Sequence, residues 1–267
     1  MAETATAARA LTQERITCGE VELDVYRGGS GPSLLFLHGG GGLNPAAPAF
    51  SMLARHFSVT APVHPGFGSS SLPFWMDSVD DFVHVHLELM EKLDLRDVIL
   101  VGTSLGGWVA ADLATKNRAR ISRLVLVSPV GIKVGPREKL DIPDVFAMSM
   151  KDADKLMFAN PDKFGFTPDG KSDEELRVIA RNRETMALVT WDPYMHSPKL
   201  KHRLHVIDKP TLFLRGEKDG LVSQSYVEAY AGFIPGAKVE TIAGAGHAPQ
   251  AEQAEDFVSR ILRFAKT

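Results

Sequence analysis

The apolar residues of this chain fall into short unbroken runs set between stretches of helical period. Val98-Ile99-Leu100-Val101 is one such run, and Ser33 to Leu37, Phe57 to Ala61, Arg123 to Ser128, Pro210 to Arg215 and Ala237 to Ile242 are of the same kind. Runs of that length without polar alternation suit strands buried on both faces. Ile16 to Tyr26 reads differently, because Val21, Leu23 and Val25 alternate with Glu22 and Asp24, and Gly19-Glu20 interrupts the pattern. That is the period of a half-exposed antiparallel hairpin at a sheet edge, closed off by the turn residues Gly28 to Pro32. Counting the hairpin as two, the pattern supplies eight strand candidates.

Helical spacing fills the gaps. Val79, Phe82, Val83, His86, Leu89, Met90 and Leu93 recur on one face, after Ser78 and Asp81 in the spacing of a capping box. This helix joins two buried runs, so those two strands are expected to be parallel. Val109-Ala110-Ala111, Ser223 to Phe233 and Gln250 to Ala265 read as further helices, the last burying Phe257, Ile261, Leu262 and Phe264. From Gly131 to His205 no buried run occurs. Amphipathic pieces rich in Met, Phe, Asp, Lys and Arg are broken there at Pro136, Pro143, Pro161, Pro168 and Pro193. A structureless connection of that length does not fit a compact domain. A helical lid inserted over the sheet is expected instead, with a core in two parts, 1–131 and 206–267, around an insertion at 132–205.

Composition narrows the class. A 44% hydrophobic and 24% charged chain is an ordinary globule. A net charge of −3 gives no reason to expect nucleic acid or an anionic membrane as partner. No stretch approaches a membrane span, and Met1 to Gln13 lacks the apolar core of a secretory signal, so a cytoplasmic protein with a loose N-terminal tail is expected. Cys18 is the single cysteine, which excludes an intrachain disulfide and suits a reducing compartment. The expected partner is a small-molecule substrate; self-association of the chain is compatible with the composition.

The chemistry is concentrated at the ends of the buried runs. Gly102-Thr103-Ser104-Leu105-Gly106 joins the Val98 run directly to a helix. Such a turn strains its central residue and brings two elements into contact, which the two glycines permit; it exposes the Ser104 hydroxyl and aims the Leu105 backbone N–H at the same point. After Leu37 stands His38-Gly39-Gly40-Gly41-Gly42. No phosphate-binding lysine pattern follows, whereas a loop without Cβ atoms beside a nucleophile suits backbone donation to an oxyanion.

A serine needs a base, and nine histidines compete. His84 and His86, two apart on a helix, point roughly opposite ways. His202 and His205 have no carboxylate or thiol placed with them, so no metal is expected there. His56 and His196 carry no chemical context, and His38 belongs to the glycine loop. His247 follows a strand in Gly244-Ala245-Gly246-His247, and Asp219 lies in Gly216-Glu217-Lys218-Asp219 after the strand before it. Three loops at strand ends thus offer a nucleophile, a base and an orienting carboxylate.

These motifs resemble the α/β-hydrolase family: the Ser104 elbow, the His38-Gly39-Gly40 oxyanion loop, the Asp219 acid turn and Gly246-His247, in the family order Ser, Asp, His. The resemblance implies an eight-stranded, mostly parallel sheet with helices on both faces, catalysis by Ser104, His247 and Asp219, and no cofactor. It also implies an oxyanion hole made by Leu105 and Gly40, with Gly41 as the near alternative. Where many members carry an acid in Asp-x-Pro-Gly-x-Gly-x-Ser, this chain has valine before His64-Pro65-Gly66-Phe67-Gly68-Ser69, with Pro62 ahead of it. Branches that dehalogenate or open epoxides use a carboxylate nucleophile, against which Ser104 argues.

The leading expectation is hydrolysis of an ester with a small apolar or aromatic acyl group through an acyl-enzyme. A second is cleavage of a carbon–carbon bond in a vinylogous diketone. The His38-Gly39-Gly40-Gly41 loop resembles that branch, with Arg181 or Arg183 for a substrate carboxylate, although the branch usually has Trp where Ala248 stands. A third is a ligand-binding receptor with an idle triad. Phe146, Met148, Met150, Met157, Phe158, Phe164, Phe166, Met186, Trp191 and Met195 crowd the insertion, and about a third are expected to line a pocket. His38, Trp108, Met148, Phe158 and Trp191 are the side chains expected at the substrate. Trp108 equally suits packing, and His38 equally suits bracing its loop.

Overall fold

In a computed structural model, residues 11–43 and 47–266 are described. The expected tail, Met1 to Gln13, lies outside them up to residue 10, but Thr12 and Gln13 are already strand. The strands are β1 (Thr12–Cys18), β2 (Val21–Gly28), β3 (Ser33–Leu37), β4 (Ser58–Pro62), β5 (Val98–Thr103), β6 (Ile121–Val127), β7 (Thr211–Gly216) and β8 (Lys238–Ile242). They form one sheet in the order β1-β2-β4-β3-β5-β6-β7-β8. β1 and β2 are the antiparallel hairpin, β2 meets β4 antiparallel, and every later pairing is parallel.

Continuous apolar runs are what a sheet covered on both sides demands. Leu35 and Leu37 of β3, Leu100 of β5, Leu124 and Leu126 of β6 and Phe213 of β7 belong to one core cluster. That cluster also holds buried residues of α2 (Val79–Lys92), α3 (Leu105–Lys116) and α7 (Gln224–Ala231). Their neighbours Leu34, Phe36, Ile99, Val101, Val125, Val127, Leu212 and Leu214 belong to a second, with α1 (Ala47–Leu53) and α9 (Ala254–Ala265). The capping box holds as read: Asp81 accepts the Ser78 backbone N–H at 3.0 Å.

Two helix readings change. α1 was not foreseen, since its seven residues are too few to show a period. The expected final helix is two, α8 (Pro249–Glu252) and α9, broken at Gln253, whose φ −135° and ψ 55° lie outside the helical region. Between β6 and β7 no strand occurs among the described residues; α4 (Met150–Met157), α5 (Pro161–Phe164) and α6 (Asp173–Thr190) stand there with two short 3-10 turns. No helix of the described residues is long and apolar enough to cross a membrane.

Candidate active site

Ser104 closes β5 and opens α3 with φ 51° and ψ −113°, a conformation an L-residue holds only where its surroundings force it. The force is close packing. A Cβ on Gly102 would lie 2.2 Å from the Gly106 carbonyl oxygen, and one on Gly106 2.2 Å from that of Leu37. The Ser104 N–H bonds to the Val127 carbonyl at 2.9 Å, tying the turn to β6. The glycine loop lies against it: a Cβ on Gly39 would meet the Ser104 Cβ at 3.2 Å, and one on Gly40 the Met186 sulfur at 2.1 Å. The run of glycines therefore lets the loop fit between the elbow and α6.

His247 Nδ1 lies 3.0 Å from Asp219 Oδ2, both side chains being buried. Asp219 Oδ1 accepts the backbone N–H groups of Leu221 and Val222, each at 2.9 Å, so the carboxylate is turned as a unit toward the imidazole. Burial pushes its pKa up, but His247 and the Val222 N–H outweigh burial and leave it below the ordinary value. An ionised carboxylate at Nδ1 puts the imidazole proton there and leaves Nε2 bare to act as a base.

The inserted segment is bonded to these same loops. The Gly220 N–H donates to the Leu156 carbonyl at 2.9 Å, and the His247 N–H to the Met157 carbonyl at 2.6 Å. Glu252 bridges the Gly246 N–H at 2.8 Å and the Ala159 N–H at 2.7 Å. On the other side Asn182 of α6 accepts the Gly68 N–H at 2.9 Å and reaches the Gly41 carbonyl at 3.4 Å. Asn182 and Glu252 were not singled out from the sequence, because a polar residue that bonds only to distant backbone leaves no local pattern.

Ser104, Thr103, His247, Ala248 and Gly39 to Gly42 line one cavity of about 380 Å³ together with residues of the segment between β6 and β7. Its walls are mostly apolar. Phe146, Met150, Met157, Phe158, Phe164, Phe166, Met186 and Met195 all line it, far more than the expected third. Of the five side chains expected at the substrate, Phe158 is there. Met148 and Trp191 are not: Met148 precedes α4, whose first residue Met150 takes the wall, and Trp191 is 57% exposed, packed on Phe146 from outside. Trp108 is buried against Gly131 in the core, as its place on α3 requires. Arg183 lines the cavity, while Arg181 donates to the carbonyls of Gly68 and Ser70 and braces a core loop.

His38 also lies elsewhere, facing inward. Its Nδ1 is 2.7 Å from the Gly39 carbonyl and its Nε2 accepts the His64 backbone N–H at 2.9 Å. His64 Nε2 is 2.9 Å from the His38 carbonyl, and His64 Nδ1 is 2.7 Å from Nε2 of His86 on α2. Burial pushes all three rings toward the neutral form, His38 down to about 4 and His86 to about 3, while His64, also facing the other two rings, falls well below its usual value. His38 therefore braces the loop, and the residues that complete the brace come from two elements read separately in the sequence.

Residues 34–260 match the model of the "Alpha/beta hydrolase family". Among curated proteins, the chain is 29% identical to the dihydrolipoyllysine-residue acetyltransferase component of the acetoin cleaving system of Cupriavidus necator, over 86% of this chain and 63% of that longer protein. It is 27% identical to a 2-hydroxymuconate semialdehyde hydrolase of a Pseudomonas species, over 94% of this chain and 93% of that one. It is also 26% identical to the pimeloyl-[acyl-carrier protein] methyl ester esterase of Nitrosospira multiformis, over 93% and 100%.

Proposed function

The chain belongs to the α/β-hydrolase family, and from that premise we propose that it is a serine hydrolase of esters with a small apolar or aromatic acyl group. Ser104 Oγ attacks the carbonyl carbon as His247 Nε2 takes its proton. Negative charge gathers on the carbonyl oxygen, where the N–H groups of Leu105 and of Gly40, with Gly41 as the near alternative, receive it. Collapse breaks the bond to the alcohol, which leaves with the proton from His247. A water then attacks the acyl-enzyme by the same route and frees the acid and Ser104. Segment 132–205 acts as the lid, its apolar wall selecting the acyl chain.

The observation that carries this reading is the Asp219–His247 hydrogen bond, opening with Ser104 onto one apolar cavity. The esterase relative supports it. A second reading has its own support: Arg183 sits in the cavity with its guanidinium over Phe146, and a 2-hydroxymuconate semialdehyde hydrolase is among the relatives. That arrangement suits carbon–carbon cleavage of a dienol keto acid, with Arg183 on the carboxylate. Purified protein offered p-nitrophenyl esters and dienol keto acids side by side decides between them by the larger kcat/KM. In either case Ser104→Ala is expected to lower turnover by about 10⁴-fold or more. Near-normal hydrolysis by that variant removes Ser104 as the nucleophile, and no labelling of Ser104 in folded protein by a fluorophosphonate overturns the reading in favour of a binding protein.

A further inference from the structure

The contacts among His38, His64 and His86 admit a single arrangement of protons. A backbone N–H only donates, so His38 Nε2, which receives the His64 N–H, must be bare and the His38 proton must sit on Nδ1, facing the Gly39 carbonyl. A carbonyl only accepts, so His64 Nε2 must carry the proton it gives to the His38 oxygen. His64 Nδ1 is then bare, and the contact to His86 Nε2 requires that His86 be the donor. The remaining atom, His86 Nδ1, is buried with no partner, as fits a nitrogen that bears no proton to place.

The end of this chain matters for the reaction proposed above. The Gly39–Gly40 peptide is trans and planar, so its carbonyl and the Gly40 N–H point in opposite directions. The Gly39 oxygen is held by His38 Nδ1 and by the Gly42 N–H at 3.1 Å. Fixing that oxygen fixes the heading of the Gly40 N–H, the donor assigned to the oxyanion.

We propose that His86 and His64, neither of which lines the cavity, are positioning residues: the proton His86 presents fixes the tautomer of His64, and His64 fixes His38 and the glycine loop, so that the Gly40 N–H is aimed before substrate arrives. His86 is the source of the order, because without its donor His64 can move its proton to Nδ1 and turn a bare nitrogen on the His38 carbonyl. The inference rests on the oxyanion reading of the loop.

Long-range proton–nitrogen spectra of the full chain with labelled histidine are expected to show His38 protonated on Nδ1 and His64 and His86 on Nε2. His64 protonated on Nδ1 overturns the proposal, whatever the variants do. In kinetics with p-nitrophenyl butyrate, His86→Leu is expected to lower kcat about 10-fold or more while KM moves less than about 3-fold, since a misaimed donor weakens the transition state more than substrate binding. His86→Gln, whose amide can donate to His64 Nδ1, is expected to recover most of that loss. Equal kcat in the two variants, or a loss confined to KM, means that His86 only fills space. Ser104→Ala separates the layers: if it keeps turnover the site reading fails, while the spectra, taken without substrate, still report the histidine chain.

Discussion

The molecule holds imidazoles in two opposite ways on either side of the glycine loop. His247 has one nitrogen on an ionised carboxylate and its ring lines the cavity. His38, His64 and His86 meet each other, backbone and apolar rings such as Phe67 and Phe82, an arrangement that refuses an added proton. The side chain is the same in both places. What differs is whether the partner at the ring is an anion or a neutral dipole, and whether the protonated ring would keep its hydrogen bonds. Under the proposed mechanism, charge that must move is placed beside a carboxylate, and geometry that must hold is built from rings kept neutral.

The sharpest way to break this contrast is to make His247 resemble the buried group. Asp219→Asn removes the anion and lets the amide donate to Nδ1, which moves the proton to Nε2 and takes away the base; kcat is expected to fall by about 10⁴-fold at neutral pH with the protein still folded. Steady-state kinetics beside a thermal melt check it, and a loss below about 10-fold would remove Asp219 from its role.

The next effect tests the refusal. The folded pKa values of the buried rings lie below the usual 6.5, so above pH 6.5 neither folded nor unfolded chain is protonated at them and their contribution is complete. Below it the unfolded chain takes up protons that the folded chain declines, and stability falls until the folded values, near 4 for His38 and 3 for His86, are reached. Linkage puts the loss at about 2 kcal/mol for each ring between pH 6.5 and 5. Urea unfolding at the two pH values measures it, and His86→Leu is expected to flatten the dependence by one ring's share. An unchanged slope in that variant would show that His86 titrates normally.

The smallest effect sharpens the cavity side of the comparison. Phe158 shares the cavity wall with His247 and Trp191 lies outside it. Phe158→Ala is expected to lower kcat/KM for a hexanoyl ester about 10-fold relative to an acetyl ester, and Trp191→Ala to leave that ratio within about 2-fold. A reversal of the two results would place the acyl pocket elsewhere.

Most of the sheet was legible in the sequence because each parallel strand is buried on both faces and so writes a continuous apolar run. Ser104, Asp219 and His247 were legible because each sits in a glycine-marked loop at the end of such a run. What the sequence hid shares one cause, dependence on residues far along the chain. Trp191 and Phe158 are both aromatic residues of the insertion, and only the packing of its helices decides which of them faces inward. His64 and His86 are 22 residues apart and meet across a loop and a helix. The period of α2 marked His86 as an inward position, but periodicity says nothing of what a buried ring will meet.

The bonds that Leu156 and Met157 accept from Gly220 and His247, with the Glu252 bridge from Ala159 to Gly246, tie the segment between β6 and β7 to the backbone that holds Asp219 and His247. Asn182 of the same segment is bonded to Gly68 and Gly41 on the other side, so the segment cannot swing as a hinged plate about either edge without giving up hydrogen bonds to the core. Small molecules are therefore expected to pass by local bending between the two sets of tethers rather than by rigid rotation of the whole segment.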